Sequence, residues 1–89
     1  MREIFYHRNA VRYLKRMPAE RKDRIKADIA DVASLSDVNA HPNVKAMAGD
    51  WSGCHRLRVG QYRAIFRLKQ QDGREDFEVL QVGPRGGIY

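Results

Sequence analysis

Three things are scarce in this sequence: cysteine, long apolar runs and acidic residues. The single cysteine, Cys54, cannot form a disulfide within the chain, which fits a reducing compartment. No apolar run approaches the ~18 residues of a membrane helix, and no basic-then-apolar leader begins the chain. We therefore expect a cytoplasmic protein that has neither a membrane span nor a signal peptide.

The shortage of acids leaves a basic chain. Against 11 Asp and Glu stand 17 Lys and Arg, which gives a formal net charge of +6 and an isoelectric point near 9.9. This balance favours an acidic or nucleic-acid partner, although solubility alone would also explain it. The length of 89 residues predicts one domain, 1–89, that is large enough to fold without disulfides or metal.

Sites for metals and cofactors are also missing from the pattern. His7, His41 and His55 are dispersed, and no spacing of His, Cys and Asp matches a set of metal ligands. The glycines near the end follow a strand pattern and precede no helix, so they do not form a phosphate-binding loop of the nucleotide-binding kind. We expect no metal and no cofactor.

The first half of the chain predicts a strand and two helices. Residues 2–6 are β-branched and aromatic, as in a strand. Asn9 is the expected N-cap of a first helix, and Pro18 ends that helix and begins a second, which covers 20–35. Each helix has one apolar face, so we expect the pair to cover a sheet. Residues 36–53 are rich in Pro, Gly, Asn and Asp and predict a loop.

Two short turns organise the second half into an antiparallel meander. Gly60 occupies the first central position of a type II′ turn, and Asp72-Gly73 is a type I′ signal. Two-residue loops place Arg58 opposite Arg63, Arg67 opposite Glu78, and Gly83 opposite Tyr62. The fold class is therefore α+β, with element order β-α-α-β-β-β and a helical hairpin packed on an antiparallel sheet.

The register divides the sheet into two faces. The face expected under the helices carries Leu57, Val59, Tyr62, Ala64, Phe66, Leu68, Phe77 and Val79. His55 falls on that side and is expected to be packed rather than reactive. The other face carries Arg56, Arg58, Arg63, Ile65, Arg67, Glu78, Leu80 and Val82.

On that second face the charges can be sorted. Arg67 opposite Glu78 is expected to be a structural cross-strand pair. Arg58 and Arg63 oppose each other, and like charges in that position are mildly destabilising. An apolar floor of Ile65, Leu80 and Val82 is expected beside them. This combination predicts a binding surface, and the alternative is a solvated face that arginines merely decorate.

Arginines in such a cluster suit phosphate. The guanidinium group makes two parallel hydrogen bonds to phosphate oxygens and stays charged at any accessible pH. Tyrosine adds a flat ring on which bases of single-stranded RNA can stack. Arg85 and Tyr89 follow the third strand of the meander, and Arg85 is expected within reach of the Arg58/Arg63 end.

The chain as a whole resembles the RelE/ParE superfamily of type II toxin–antitoxin toxins. The resemblance runs through "HPNVKAMAGDWSGCHRLRVGQYRAIFRL" and "VLQVGPRGGIY", and is most specific in "RLRVGQYRAIF" and "VGPRGGIY". The chain is most similar to the RelE branch. The resemblance implies a fold of the microbial ribonuclease type. It also implies a metal-independent endoribonuclease that cleaves mRNA on the ribosome by attack of a 2′-hydroxyl on the adjacent phosphate.

Site residues follow from this resemblance position by position. Arg63 matches the arginine that stabilises the phosphate, and Arg85 the arginine that stabilises or protonates the leaving group. Tyr89 matches the tyrosine that stacks on the substrate. Arg56 and Arg58 stand where well-known members carry two lysines, one of them proposed as general base. Because arginine cannot lose its proton, the identity of the base stays open.

The resemblance also implies partners and leaves alternatives. It implies a cognate antitoxin, mRNA and the ribosome, with operator DNA bound only through the antitoxin complex. We expect the antitoxin to cover either the floor of Ile65, Leu80 and Val82 or the helical hairpin. One alternative is a ParE-like toxin that inhibits DNA gyrase without cleaving RNA. Another is a toxin-like protein that only binds its antitoxin and, as a complex, operator DNA.

Overall fold

The structure, a computed structural model, describes residues 2–84. Its elements in chain order are β1 (Ile4–Tyr6), α1 (Arg8–Lys15), α2 (Ala19–Ala33), β2 (Val44–Ala46), β3 (His55–Val59), β4 (Tyr62–Gln71) and β5 (Arg74–Pro84). Single 3₁₀ turns at Val38–Ala40 and Gly49–Trp51 lie on either side of β2. Within residues 2–84 no helix is long and apolar enough to cross a membrane.

The five strands form one sheet in the order β1-β5-β4-β3-β2. The pairs β2–β3, β3–β4 and β4–β5 are antiparallel. At one edge of the sheet, β1 lies parallel to β5. The α+β class and the helical hairpin are confirmed. The sheet differs from the expected one in two ways, because it is mixed and because β2 adds a strand.

The first helix begins two residues earlier than a cap at Asn9 would allow. The His7 amide donates to the Val79 carbonyl at 2.9 Å, so β1 holds the backbone extended up to His7. The carbonyl of His7 then accepts the amide of Val11 at 3.0 Å, which makes His7 the N-cap and places Asn9 inside α1. Pro18 precedes α2 as predicted, and its carbonyl accepts the first bond from Lys22.

The core lies between the helical hairpin and one face of the sheet. Helix residues such as Leu14, Ile25 and Ile29 pack in the same buried cluster as strand residues such as Leu57. The rings of Phe66 and Phe77 stack with centroids 4.2 Å apart at its centre. Burying each aromatic side chain of this kind contributes about 1.5–3 kcal/mol, so the cluster holds the hairpin against the sheet.

Both predicted turns are confirmed by their backbone angles. Gly60 has φ +59°, and Val59 pairs with Tyr62 across it, as a type II′ turn requires. Asp72 and Gly73 have φ +51° and +79°, the two positive values of a type I′ turn. The register between the turns follows, with Arg58 opposite Arg63 and Arg67 opposite Glu78.

A β-bulge interrupts the pairing of β4 with β5. Ile65 pairs with Gln81 and the next residue, Phe66, pairs with Val79, so Leu80 is the extra residue on β5. Beyond the bulge every β5 side chain changes face. Gly83 therefore lies opposite Arg63, and the prediction that it faces Tyr62 is wrong by one position.

The segment predicted as loop contains β2. Val44 pairs with Leu57 and is buried at 7% exposure, while Lys45 pairs with Arg56. The rest of the segment is irregular as expected, and its turns bring the chain back antiparallel to β3. This short strand matters because it forms one wall of the basic cleft described below.

Candidate functional site

A basic cleft lies on the sheet face that points away from the helices. It encloses about 240 Å³ and is lined by Pro42, Asn43, Lys45, Arg56, Arg58 and Arg63. We call it the cation cleft. Four of its six lining residues carry positive charge, and none of the six is acidic.

Three strands position these four cations. Arg56 and Arg58 are two residues apart on β3 and alternate with the buried Leu57, so both point away from the core. Arg63 lies directly opposite Arg58 on β4, and Lys45 lies directly opposite Arg56 on β2. Residues paired across antiparallel strands share a face, which brings all four side chains to one surface.

A backbone hydrogen bond joins Asn43, on one side of the cleft, to strand β3. The Arg58 amide donates to the Asn43 carbonyl at 3.0 Å, which extends the pairing of β2 with β3 by one residue. Asn43 is itself held by His41, whose Nδ1 accepts the Asn43 amide at 3.1 Å. The cleft is therefore built on paired backbone, which fixes the positions from which its cations extend.

Arg56 and Arg63 are half-buried, whereas Lys45 and Arg58 are exposed. A guanidinium that is partly withdrawn from water interacts more strongly with a phosphate than an exposed one, because the local dielectric is lower. The exposed Lys45 and Arg58 leave the cleft open to a large ligand. This arrangement can bind a phosphodiester and stabilise negative charge that develops on it.

Lys45 is the cleft residue that sequence reasoning missed. Its neighbours Val44 and Ala46 give it the alternation of a strand, but three residues between Pro42 and Gly49 are too few to outweigh the loop signals around them. The pairing of this segment with β3 would have been a sharper signal for a strand. In that pairing, Val44 continues the apolar row of Leu57 and Ala64 across the sheet.

Arg67 belongs to a separate, structural pair. Its Nε donates to Oε1 of Glu78 at 2.6 Å. That hydrogen bond lowers the pKa of the Glu78 carboxyl, and burial opposes the shift. The prediction of a cross-strand pair is confirmed, and Arg67 does not line the cation cleft.

The expected apolar floor does not exist as an exposed surface. Ile65 is fully buried at 0% exposure and Leu80 is half-buried. Val82 pairs with Ala64 and joins the core on the helix side at 5% exposure. For Val82 the physical reason is the bulge at Leu80, because the extra residue turns Val82 to the opposite face.

Arg85 and Tyr89 lie outside the described residues, so their predicted place at the site stays a prediction. The last described residues of β5 run beside the cleft, with Gly83 opposite Arg63 and Pro84 opposite Tyr62.

His55 is a packed side chain, as expected. Its ring stacks on Phe66 at 5.2 Å and 13°, on the core side of β3. Burial lowers its pKa, and the charge of Asp37 works in the opposite direction. In the part of the chain that the structure describes, no three His, Cys, Asp or Glu residues come together as a metal site.

Comparisons with known proteins place this geometry in a known fold. No protein-family model matches the sequence, and no curated protein matches it significantly. The structure is similar to a chain of the archaeal RelE–RelB complex from Pyrococcus horikoshii, with a TM-score of 0.72 at 22% identity over 98% of both chains.

Two further solved structures agree. The isolated RelE toxin from Escherichia coli gives a TM-score of 0.74 at 14% identity, over 96% of this chain and 85% of that one. The RelB–RelE complex from Methanococcus jannaschii gives 0.67 at 24% identity, over 96% and 94%. The chain therefore has the fold of the RelE toxins.

Proposed function

We propose that this chain, which has the RelE fold, is the toxin of a type II toxin–antitoxin system and a metal-independent endoribonuclease. Its substrate would be mRNA on the ribosome, and cleavage would stop translation. The observation that carries the proposal is the cation cleft, where Lys45, Arg56, Arg58 and Arg63 converge on one face of the sheet. Such a cleft matches the phosphodiester backbone of RNA.

The proposed reaction is an internal phosphoryl transfer. The 2′-oxygen forms a bond to the adjacent phosphorus as its hydroxyl loses a proton, and the bond from phosphorus to the 5′-oxygen breaks. The leaving oxygen takes up a proton, so the products are a cyclic phosphate and a free 5′-hydroxyl. Arg58 and Arg63 oppose each other across two strands and would stabilise the charge that builds up on the phosphate oxygens.

We propose Lys45 as the group that accepts the proton of the 2′-hydroxyl. Three of the four cations in the cleft are arginines, which cannot act as bases. Lysine can lose a proton, and Lys45 lies opposite Arg56 at the open side of the cleft. Arg85 and Tyr89 remain proposed site residues on the resemblance to RelE toxins, as the charge-stabilising arginine and the stacking tyrosine.

A cognate antitoxin is the proposed protein partner. The similar structures from P. horikoshii and M. jannaschii are complexes of RelE with RelB. Since Ile65 and Val82 are buried, we place the antitoxin contact on the helical hairpin. There a groove of about 400 Å³ is lined by Tyr6, by Val11 and by four cations on α1 or directly after it. These cations are Arg8, Arg12, Lys15 and Arg16. Operator DNA would be bound only through the antitoxin complex.

The test is cleavage of mRNA by the purified chain in a reconstituted translation reaction, with cut sites mapped at the 5′ ends of the fragments. We expect cuts at defined codon positions. Arg63→Gln should lower the cleavage rate by at least about 100-fold, as removal of a transition-state charge contact does. The matched control is Arg67→Gln, which removes the same charge from the same strand outside the cleft.

Two outcomes would contradict the proposal. Intact mRNA together with inhibited supercoiling by DNA gyrase would identify a ParE-like toxin. Equal losses of cleavage for Arg63→Gln and Arg67→Gln would show that the cleft has no special role. For the residues beyond the described part, Arg85→Ala and Tyr89→Ala should each abolish growth arrest in cells.

A further inference from the structure

A second basic recess lies on the helix side of the β3–β4 turn. It encloses about 220 Å³ between the N-terminal half of α2 and the turn at Gly60. We call it the turn pocket. Its lining includes Arg21, Arg24, Ile25, Val59, Gly60 and Tyr62.

The turn pocket contains an aromatic ring that is held in place. Arg21 Nη1 donates to the Tyr62 hydroxyl at 2.9 Å, which ties α2 to the first residue of β4. The ring of Tyr13 meets the ring of Tyr62 edge to face, with centroids 6.4 Å apart and planes at 62°. Tyr62 is half-buried, so part of this fixed ring remains available to a ligand.

The rest of the lining matches one class of ligand. Ile25 and Val59 are buried at 1% and 4% exposure and form an apolar floor. Arg21 and Arg24 are exposed above it, and no lining residue of the turn pocket is acidic. A flat ring, an apolar floor and two guanidinium groups suit a nucleotide, since the base can stack while the phosphate meets the arginines.

The turn pocket and the cation cleft lie back to back on one hairpin. Val59 and Tyr62 face the turn pocket, and their sequence neighbours Arg58 and Arg63 face the cation cleft. Among the residues that the structure describes, the exposed Gly60 and Gln61 form the tip that joins the two faces. A single strand of RNA that enters the cleft can therefore continue over the tip.

We propose that the turn pocket binds one nucleotide of single-stranded RNA that flanks the phosphodiester held in the cation cleft. The proposal rests on the proposed function, because it extends the substrate path of that site. Tyr62 stacks on the base, Arg21 and Arg24 contact the phosphate, and the bond from Arg21 to Tyr62 keeps both groups oriented before RNA arrives.

The test uses the full chain and a hexanucleotide of 2′-O-methyl RNA, which cannot be cleaved because it lacks free 2′-hydroxyls. NMR signals of the Gly60 amide and the Tyr62 ring report the turn pocket. The indole signal of Trp51, the only tryptophan of the sequence, reports the cleft side, where it lies beside Lys45 and Arg56. We expect the RNA to shift both sets of signals.

Arg21→Gln combined with Arg24→Gln should weaken RNA binding about tenfold, as the loss of a charged hydrogen bond does. The salt dependence of binding should also become shallower by about 0.7, the amount expected for one phosphate contact to a single strand. The matched control is Lys22→Gln with Lys26→Gln, which removes two charges from the same helix, α2, outside the turn pocket. This control should leave the Gly60 and Tyr62 shifts unchanged.

Three outcomes would overturn the proposal. RNA that shifts Trp51 but neither Gly60 nor Tyr62 excludes the turn pocket and leaves RNA cleavage at the cleft intact. RNA that shifts none of these signals also excludes it, and the mRNA cleavage assay then decides the proposed function separately. A hexaglutamate peptide that shifts Gly60 and Tyr62 where RNA does not would identify an acidic protein segment as the ligand.

Discussion

At the scale of single residues, the difference between lysine and arginine decides which group of the cation cleft could act as the proposed base. Lys45, Arg56, Arg58 and Arg63 contribute similar charge to a bound phosphate. Only a lysine among them can exist as a neutral amine and accept a proton, because the guanidinium group stays protonated throughout the accessible pH range. A substitution that keeps the charge and removes this ability therefore separates the two roles proposed for Lys45, binding phosphate and accepting a proton.

We predict that Lys45→Arg preserves RNA affinity within about threefold and lowers the single-turnover cleavage rate by about 100-fold or more, the usual contribution of a general base. Lys45→Gln should lower both affinity and rate. The measurement is single-turnover cleavage of mRNA on ribosomes between pH 6 and 9, compared with RNA binding under the same conditions. A cleavage rate for Lys45→Arg equal to that of the parent chain would limit Lys45 to binding.

His55 leads to a prediction about stability. Burial lowers its pKa from the ordinary value of 6.5, so the folded state binds its proton less readily than the unfolded chain does. The contribution of the neutral His55 ring to stability is therefore fully present above pH 6.5. It is lost as the pH falls from 6.5 toward the lowered pKa. The lowered pKa of Glu78 acts in a different window, because its contribution is lost only as the pH falls below 4.5.

We predict that His55→Phe removes the loss of stability in the upper window and keeps the loss in the lower one. Phenylalanine preserves the stacked contact with Phe66, which is 5.2 Å away in the parent chain. Urea midpoints at pH 7.5, 5.5 and 4 would measure both windows. An unchanged decline between pH 7.5 and 5.5 in the variant would assign that decline to another group.

At the scale of elements, the two hairpin turns differ in what they support. The turn at Gly60 connects β3 and β4, which carry Arg58 and Arg63. The turn at Gly73 connects β4 and β5 at the opposite end of β4. Both glycines have positive φ, and a Cβ added at either would meet nothing within 4 Å. Substitution therefore costs conformational energy alone, about 1–2 kcal/mol for a residue other than glycine.

We predict that Gly60→Ala and Gly73→Ala lower the free energy of unfolding by similar amounts, measured by urea denaturation. Only Gly60→Ala should also reduce RNA cleavage, because its turn sets the register of Arg58 against Arg63. The Gly73 variant thus serves as the control for general destabilisation. Parallel losses of activity in both variants would mean that stability and not register limits cleavage.

Some of these elements could be predicted from the sequence and others could not. The two hairpins and the pairing of Arg67 with Glu78 could be predicted, because turn type depends on two local residues and register follows from the turn. The bulge at Leu80 could not, since nothing in the local pattern of β5 marks an extra residue. That single residue moved Val82 into the core and shifted Gly83 by one position.

The candidate site was predicted in part for the same reason. Arg56, Arg58 and Arg63 lie on hairpin strands with a predictable register, and the structure brings them together. Lys45 was missed because β2 is recognisable only through its pairing with β3, a contact that joins distant positions of the chain. The turn pocket was missed because it needs the packing of α2 against the Gly60 turn.

At the scale of the whole molecule, Arg2 joins parts of the chain that are far apart in sequence. Its Nε pairs with the Glu75 carboxylate at 2.6 Å on β5. Its Nη1 and Nη2 donate to the carbonyls of Ala33, Leu35 and Ser36 at the end of α2. The side chain is 13% exposed, so these bonds are largely withdrawn from water and stabilise the junction of helix, first strand and last described strand.

We predict that Arg2→Ala lowers the free energy of unfolding by about 2–3 kcal/mol, because it leaves several carbonyls and a carboxylate without their donor. Arg2→Lys should recover part of this loss, since an ammonium can replace the charge but not the planar set of donors. Urea denaturation measures both. Stability of Arg2→Ala within 0.5 kcal/mol of the parent would show that water replaces these bonds without cost.

The parallel pairing of β1 with β5 also determines when the chain can fold during its synthesis. Ile4 pairs with Phe77, so a strand that leaves the ribosome early has no partner until nearly all of the described chain has been synthesised. Contacts of such long sequence separation form slowly. A nascent chain that ends before β5 also leaves β4 with an open edge beside the cleft. Under the proposed function, this topology would delay mRNA cleavage until β5 has been synthesised and has paired with β1 and β4.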